Sequence, residues 1–227
     1  MEILRPASLF CALWLSAASA AQPLEKVLAR MDDAAKSFQS LTGKVQKITY
    51  TAVIKDKSVE SGSVLLKRAK PRDLRMLIQF TEPDEKSVAF QGRKAQIYYP
   101  KIQTVQEYDL GKHRNLVDQF LLLGFGTPGS ELSRSYSIKM LGEEKVAGQT
   151  AARMLLVPKS EQAREHLKEV ELWVADATGQ PVQQKFVQPS GDYTQITYQE
   201  IKLNPNLKDD ELKLKLPKGV KKEYPQK

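Results

Sequence analysis

The stretch Arg72-Asp-Leu-Arg-Met-Leu-Ile-Gln-Phe-Thr81 alternates with a period of two. Leu74, Met76, Ile78 and Phe80 fall on one face, and Arg75 and Gln79 on the other. Successive side chains leave a strand on opposite sides, so this is a β-strand with one face buried. Segments of similar character lie at 44–55, 62–70, 87–91, 95–99 and 104–108. Glu82-Pro-Asp84, Gly92-Arg-Lys94 and Tyr99-Pro-Lys101 separate the later ones as turns. A second series occupies 136–141, 151–157, 168–175, 181–188 and 193–202, closing with 212–216. Gly148, Pro158, Gly179 and Pro189-Ser-Gly191 punctuate it. No linker-like stretch interrupts the strands, so one antiparallel sheet or barrel is expected rather than two domains.

Two segments break this rhythm. Leu24, Val27, Leu28, Met31, Ala35 and Phe38 recur at helical steps, with Pro23 in the first turn and Gly43 as the exit. Residues 113–123 hold Leu116, Val117, Phe120, Leu121, Leu122 and Leu123, apolar over more than one helical face. A helix of that kind needs cover. It is either a core helix on the sheet or a lid over an apolar cavity, and Gly124, Gly126 and Pro128 end it.

The chain has 227 residues, 35 Lys+Arg against 27 Asp+Glu, a formal net charge of +8, two His and one Cys. That length can bury a sizeable core. The scarcity of His and Cys excludes Cys/His zinc sites, haem attachment and disulfide frameworks. Residues 1–20 read as a secretory signal: Arg5, the apolar run Leu9 to Leu15, and small residues Ala18-Ser-Ala20. Cleavage after Ala20 removes Cys11 together with Glu2 and Arg5, which leaves a cysteine-free domain, 21–227, still at +8. No other stretch is long and apolar enough to span a bilayer, so a soluble product outside the cytoplasm is expected.

Candidate chemistry is thin. Gly124-Phe-Gly-Thr-Pro-Gly129 matches G-x-G-x-x-G, but the dinucleotide fingerprint needs a strand before it and a helix after it. Here a helix precedes, a strand follows, and Pro128 removes a donor. His113 and His166 sit in polar surroundings and read as solvated. The acids Asp32-Asp33, Glu143-Glu144 and Asp209-Asp-Glu211 read as caps and turn residues, not as acid–base pairs or cation ligands. No enzyme, metal or cofactor is expected. Lys213, Lys215, Lys218, Lys221 and Lys222 form one basic cluster, and Lys67, Arg68, Lys70, Arg72 and Arg75 another. Aromatics do not interleave with them, so nucleic acid is not expected. They are a docking surface for anionic lipid or acidic protein, or an ordinary solvated surface.

The chain resembles the periplasmic lipoprotein carriers of the LolA type and their LolA-like relatives. The likeness rests on Leu24 to Phe38 leading into Leu41-Thr-Gly-Lys-Val-Gln46, Gly62-Ser-Val-Leu-Leu-Lys-Arg68, Pro71-Arg72, Gly92 and Tyr98-Tyr-Pro100. It continues in Leu172-Trp-Val174, Gly179-Gln-Pro-Val182, Ser190-Gly-Asp192, Ile201-Lys-Leu-Asn204 and Leu216-Pro-Lys-Gly-Val220. The resemblance implies an α+β fold: a curved, incomplete antiparallel barrel with an N-terminal helix and a mid-chain helical lid over an apolar cavity. It implies a non-catalytic periplasmic carrier of lipoprotein or lipid acyl chains toward the outer membrane. An inner-membrane release complex and an outer-membrane acceptor are then its partners. In the family a basic residue before a proline helps control the lid; here that role falls to Arg68 or Lys70. Leu74, Met76, Ile78, Phe80 and Phe90 are expected to line the cavity, and Leu116, Val117, Phe120 and Leu121 to close it. The alternative is an envelope interaction or sensor domain, with a protein partner and no lipid cargo. A hydrolase lacks a nucleophile–base pair.

Overall fold

The structure, a computed structural model, describes residues 21–70, 73–111 and 123–226. The expected signal, residues 1–20, and the expected lid residues Leu116, Val117, Phe120 and Leu121 lie outside the described residues.

Helix α1 spans Ala21–Ser37 and is followed by six strands. These are β1 (Ser40–Thr51), β2 (Asp56–Lys70), β3 (Asp73–Glu82), β4 (Lys86–Gln91), β5 (Lys94–Tyr99) and β6 (Thr104–Asp109). After the connection come α2 (Gly129–Ser135), β7 (Tyr136–Val146), β8 (Gln149–Pro158), a short α3 (Glu161–Arg164) and β9 (Glu169–Ala175). Strands β10 (Pro181–Val187), β11 (Tyr193–Leu203) and β12 (Lys221–Glu223) complete the chain.

The twelve strands of the described residues belong to one open sheet, ordered β12-β6-β5-β4-β3-β2-β1-β11-β10-β9-β8-β7. Two hairpin-connected meanders, β1–β6 and β7–β11, are joined where β1 pairs antiparallel with β11. A long connection runs from β6 near one edge to β7 at the opposite edge. It therefore crosses a face of the sheet, and Leu123, Phe125 and Leu132 from it are buried there, each at 1–2% exposure.

The alternation in β3 behaves as its sequence predicts. Met76 pairs with Leu66 and Phe90, and Ile78 with Val64 and Val88, which builds rows of apolar side chains on the concave face. On the same face Val27 and Met31 of α1 pack with Leu123, Leu132, Met154, Leu156, Val170 and Leu172. Phe38, just past α1, joins the second cluster with Leu41, Val45, Val64, Leu66, Met76, Phe80, Phe125 and Tyr198. Asp32 of α1 accepts from the Ser130 backbone N–H and hydroxyl at 3.2 and 3.1 Å, holding the start of α2 against α1.

The convex face has a cover of its own. Lys67, Arg75 and Gln91 share a row across β2, β3 and β4. Lys67 and Arg75 each donate to Asp209 at 2.7 Å, and Gln91 donates to the Leu212 carbonyl at 2.7 Å. Residues 205–220 are thereby strapped over the back of the first meander, with Leu212 fully buried.

Three expectations are corrected. Residues 212–216 do not form a strand: Asp209–Leu212 is a 3-10 turn, and the final strand is β12, parallel to β6. The Leu-Lys-Leu-Lys-Leu alternation of 212–216 reflects one-sided burial of a strap, which produces the same period without a ladder. Gly43 is not the exit of α1. That helix stops at Ser37, whose carbonyl accepts from Asn204 at 3.0 Å, and Gly43 lies inside β1 opposite Val64. A Cβ on Gly43 would stand 2.9 Å from the Gln199 carbonyl oxygen, so close approach explains the glycine. Finally, a helix, α2, follows Gly124 to Gly129 before the next strand.

Candidate functional site

A cavity of about 150 Å³ opens on the concave face, where the two meanders meet. Val45 of β1, Val64 of β2, Met76 and Ile78 of β3, Phe186 of β10 and Ile196 of β11 form its apolar walls, with Gln184 and Tyr198 beside them. Of the residues expected from sequence, Met76 and Ile78 line the cavity, and Leu74, Phe80 and Phe90 join the same apolar cluster. The partners from β1, β2, β10 and β11 were missed. Their strands were legible, but which face turns inward depends on the β1–β11 pairing, which joins residues about 150 positions apart.

The cavity lies beneath the segment that follows the lid residues. Gln184, only 1% exposed, donates through Nε2 to the Leu123 carbonyl and accepts the Tyr198 hydroxyl at 3.1 Å. Tyr198 meets Phe125 edge-on, with ring centroids 4.8 Å apart. Burial pushes the Tyr198 phenol up, so it remains a protonated donor. No sequence signal marked this clasp, because Gln184 stands between Gln183 and Lys185 in β10 and reads as a surface residue. Buried amides are retained where their bonds are filled.

Arg68 makes a second attachment. Its guanidinium donates to the Gly126 carbonyl at 2.5 Å and to the Ala35 carbonyl at 3.4 Å, and lies 5.5 Å from the centre of the Phe38 ring. One side chain of β2 thus bridges the end of α1 and the crossing segment. Gly126 holds φ +62, and a Cβ there would stand 2.0 Å from Arg68 Nη2. The segment can approach the guanidinium only as glycine. Lys70 is the last residue of β2, in register with Asp73.

Toward the β1–β2 turn the concave face becomes charged. Glu60 bridges Lys47 and Lys86, with the Lys47 contact at 3.0 Å, and both ammonium groups stand over the Phe80 ring at 5.9 and 5.1 Å. Burial works to raise the Glu60 carboxyl, but hydrogen bonds from Lys86 and Lys47 outweigh it and hold the group below the usual glutamate range.

The sequence's other candidate groups do not line the cavity. His166 is exposed, and His113 lies outside the described residues. Glu144 accepts from the Trp173 indole at 2.7 Å, and Asp209 holds Lys67 and Arg75 of the basic cluster. Among the described residues, no group of His, Cys, Asp or Glu is placed to hold a metal ion, and no helix is long and apolar enough to cross a membrane.

The family model for the outer membrane lipoprotein carrier protein LolA matches residues 36–215. Comparison with curated proteins returns no match. Among solved structures, an uncharacterized conserved protein from Thermus thermophilus is similar at 14% identity and a TM-score of 0.54, covering 89% of this chain and 99% of that one. MucB is similar at 17% identity and a TM-score of 0.53, covering 86% of this chain. The chain spans 63% of the length of MucB. The MucA/MucB complex of Pseudomonas aeruginosa follows at 16% identity and a TM-score of 0.49, covering 85% of this chain and 61% of that one. At these identities the likeness is one of fold.

Proposed function

Because this chain belongs to the LolA family of outer membrane lipoprotein carrier proteins, which are carriers and not enzymes, we propose that it shields acyl chains of lipoproteins or lipids in transit through the periplasm. The observation that carries this reading is the apolar cavity on the concave face, beneath a segment pinned by Gln184 and Arg68. Residues 1–20 serve as the cleaved export signal, and an inner-membrane release complex and an outer-membrane acceptor as the partners.

The cavity's size bears on mechanism. Its 150 Å³ falls below the roughly 300–1,000 Å³ of ordinary ligand pockets, so a whole acyl chain does not fit while the segment is down. Loading lifts the segment and exposes Leu74, Met76, Ile78, Phe80 and Phe90 to the chain, with Leu116, Val117, Phe120 and Leu121 moving as the lid. Each methylene taken from water contributes about 0.8 kcal/mol, which works against the cost of the buried contacts given up in opening. Arg68, which contacts both α1 and the segment, is the residue that sets the cost of opening.

The test is mass spectrometry of lipid co-purifying with the natively exported protein, joined to titration with a fluorescent acyl probe. Saturable binding that Ile78→Glu abolishes is the expected result. Absence of both lipid and saturable binding overturns the carrier reading and favours a domain that docks a protein partner instead.

A further inference from the structure

Resting on the carrier reading, we infer that Lys47 and Lys86 form a headgroup site that selects amphiphiles bearing an anionic group, a carboxylate or a phosphate, next to the acyl chain.

The strand registers place this site. Val45 lines the cavity, and Lys47 is the next residue of β1 on the same face, about 6.7 Å further along the strand. Lys47 is in register with Ile196, itself a cavity residue, and with Glu60. On β3, Ile78 lines the cavity, and Phe80, the next residue on that face, is in register with Lys86. The apolar trough therefore ends, one strand step beyond the cavity, in two ammonium groups over one phenyl ring.

An amphiphile lying in the trough has the same order of chemistry: methylenes first, then a polar head. Both lysine side chains keep partial access to solvent, at 30% and 21% exposure. Two cations share one carboxylate, which leaves a local charge of +1. Each ammonium carries three donors, of which Glu60 engages one. In the unloaded protein Glu60 stands in for the ligand's anion. A bound carboxylate or phosphate takes the remaining donors and competes with Glu60 for the rest, in surroundings where charge pairs are stronger than in bulk water. A neutral head of the same chain gains none of this.

The experiment uses the mature domain and a neutral pyrene-labelled fatty acid methyl ester as reporter, displaced in turn by oleate, methyl oleate, phosphatidylglycerol and phosphatidylcholine. Oleate is expected to displace it at least tenfold better than methyl oleate. Phosphatidylglycerol outcompeting phosphatidylcholine by a like factor assigns the natural head to a phosphate, and preference for oleate alone assigns it to a carboxylate. Lys47→Gln with Lys86→Gln erases the anion preference while methyl oleate affinity stays within twofold. Because that pair strands Glu60, the triple variant with Glu60→Gln repeats the test with all three charges removed. Glu60→Gln alone strengthens oleate binding several-fold, since the resident competitor is gone. Equal displacement by oleate and methyl oleate in the wild type, or a preference that survives the triple variant, overturns the inference and leaves the carrier reading standing. A reporter that does not bind at all overturns both.

Discussion

The guanidinium of Arg68 and the main-chain carbonyl of Gly126 are 2.5 Å apart, 58 residues apart in sequence, and join the concave sheet to the segment that crosses it. The donor is charged and the acceptor is main chain, so the bond depends on the path of the backbone and not on the side chains of the segment. The same guanidinium touches Ala35 and Phe38 beside α1, so opening the cover disturbs one residue shared by three elements.

Arg68→Ala is expected to cost about 1.5–3 kcal/mol, the range for a hydrogen bond from a charged group. Urea unfolding measures the loss. Hydrogen exchange is expected to accelerate first at residues 123–129, ahead of the strands; uniform acceleration across the sheet would mean that Arg68 stabilises the fold without acting at the cover.

Gly126→Ala and Gly148→Ala form a matched pair. Both positions have positive φ, +62 and +79, so both pay a left-handed backbone penalty of about 1–2 kcal/mol. Gly148 has open space around its Cβ, whereas at Gly126 the new methyl meets Arg68 and Phe38 at 2.0 and 2.7 Å. Gly126→Ala is therefore expected to lower the thermal midpoint by clearly more than Gly148→Ala. Equal losses would show that the Arg68 contact yields freely.

Gln184→Leu keeps the volume but leaves the Leu123 carbonyl and the Tyr198 hydroxyl without their partner. Leaving such buried groups unsatisfied costs about 1–3 kcal/mol each. A denaturation midpoint shifted by that amount, with faster exchange at the amides of residues 123–126, is the expected outcome. Tyr198→Phe removes only one of the two bonds and is expected to cost less than Gln184→Leu.

Acid should destabilise the fold through Glu171. Burial works to raise its carboxyl, but hydrogen bonds from Arg153 and Lys185 hold it below the ordinary 4.5. In the unfolded chain the group protonates near 4.5, so the unfolded state takes up more protons between that value and the depressed folded one. Its contribution is complete above pH 4.5 and is lost as pH falls through the folded-state value. Stability measured from pH 7 to 3 is expected to fall less steeply below 4.5 in Glu171→Gln than in the wild type. Identical acid slopes would remove Glu171 from the account.

The legible parts of the fold were those with a local cause. The alternation at 74–80 located β3 and its inward face, and the helical spacing from Leu24 to Phe38 located α1. Residues 212–216 of the strap read as a strand because burial on one side of an extended chain alternates as a strand does. Two of the six apolar wall residues were legible, since Met76 and Ile78 sit on a strand whose pattern is unambiguous. Val45, Val64, Phe186 and Ile196 were not, because which face of their strands turns inward depends on the β1–β11 pairing. Gln184 reads as a surface residue until the fold places it under Leu123.

By itself the sequence determined that the chain builds a sheet or barrel of antiparallel strands with a helix before it, because periodicities of 2 and 3.6 are set by backbone geometry within a few residues. The family resemblance left the basic residue at the lid open between Arg68 and Lys70. Only the tertiary structure decided that β1 joins β11, that the two meanders share one concave face, and that the connection from β6 to β7 crosses it. Those choices depend on contacts between residues more than a hundred positions apart, where no local pattern reaches. The cavity between the two meanders follows from that one closure of β1 on β11, while the charged end at Lys47 and Lys86 is built within the first meander.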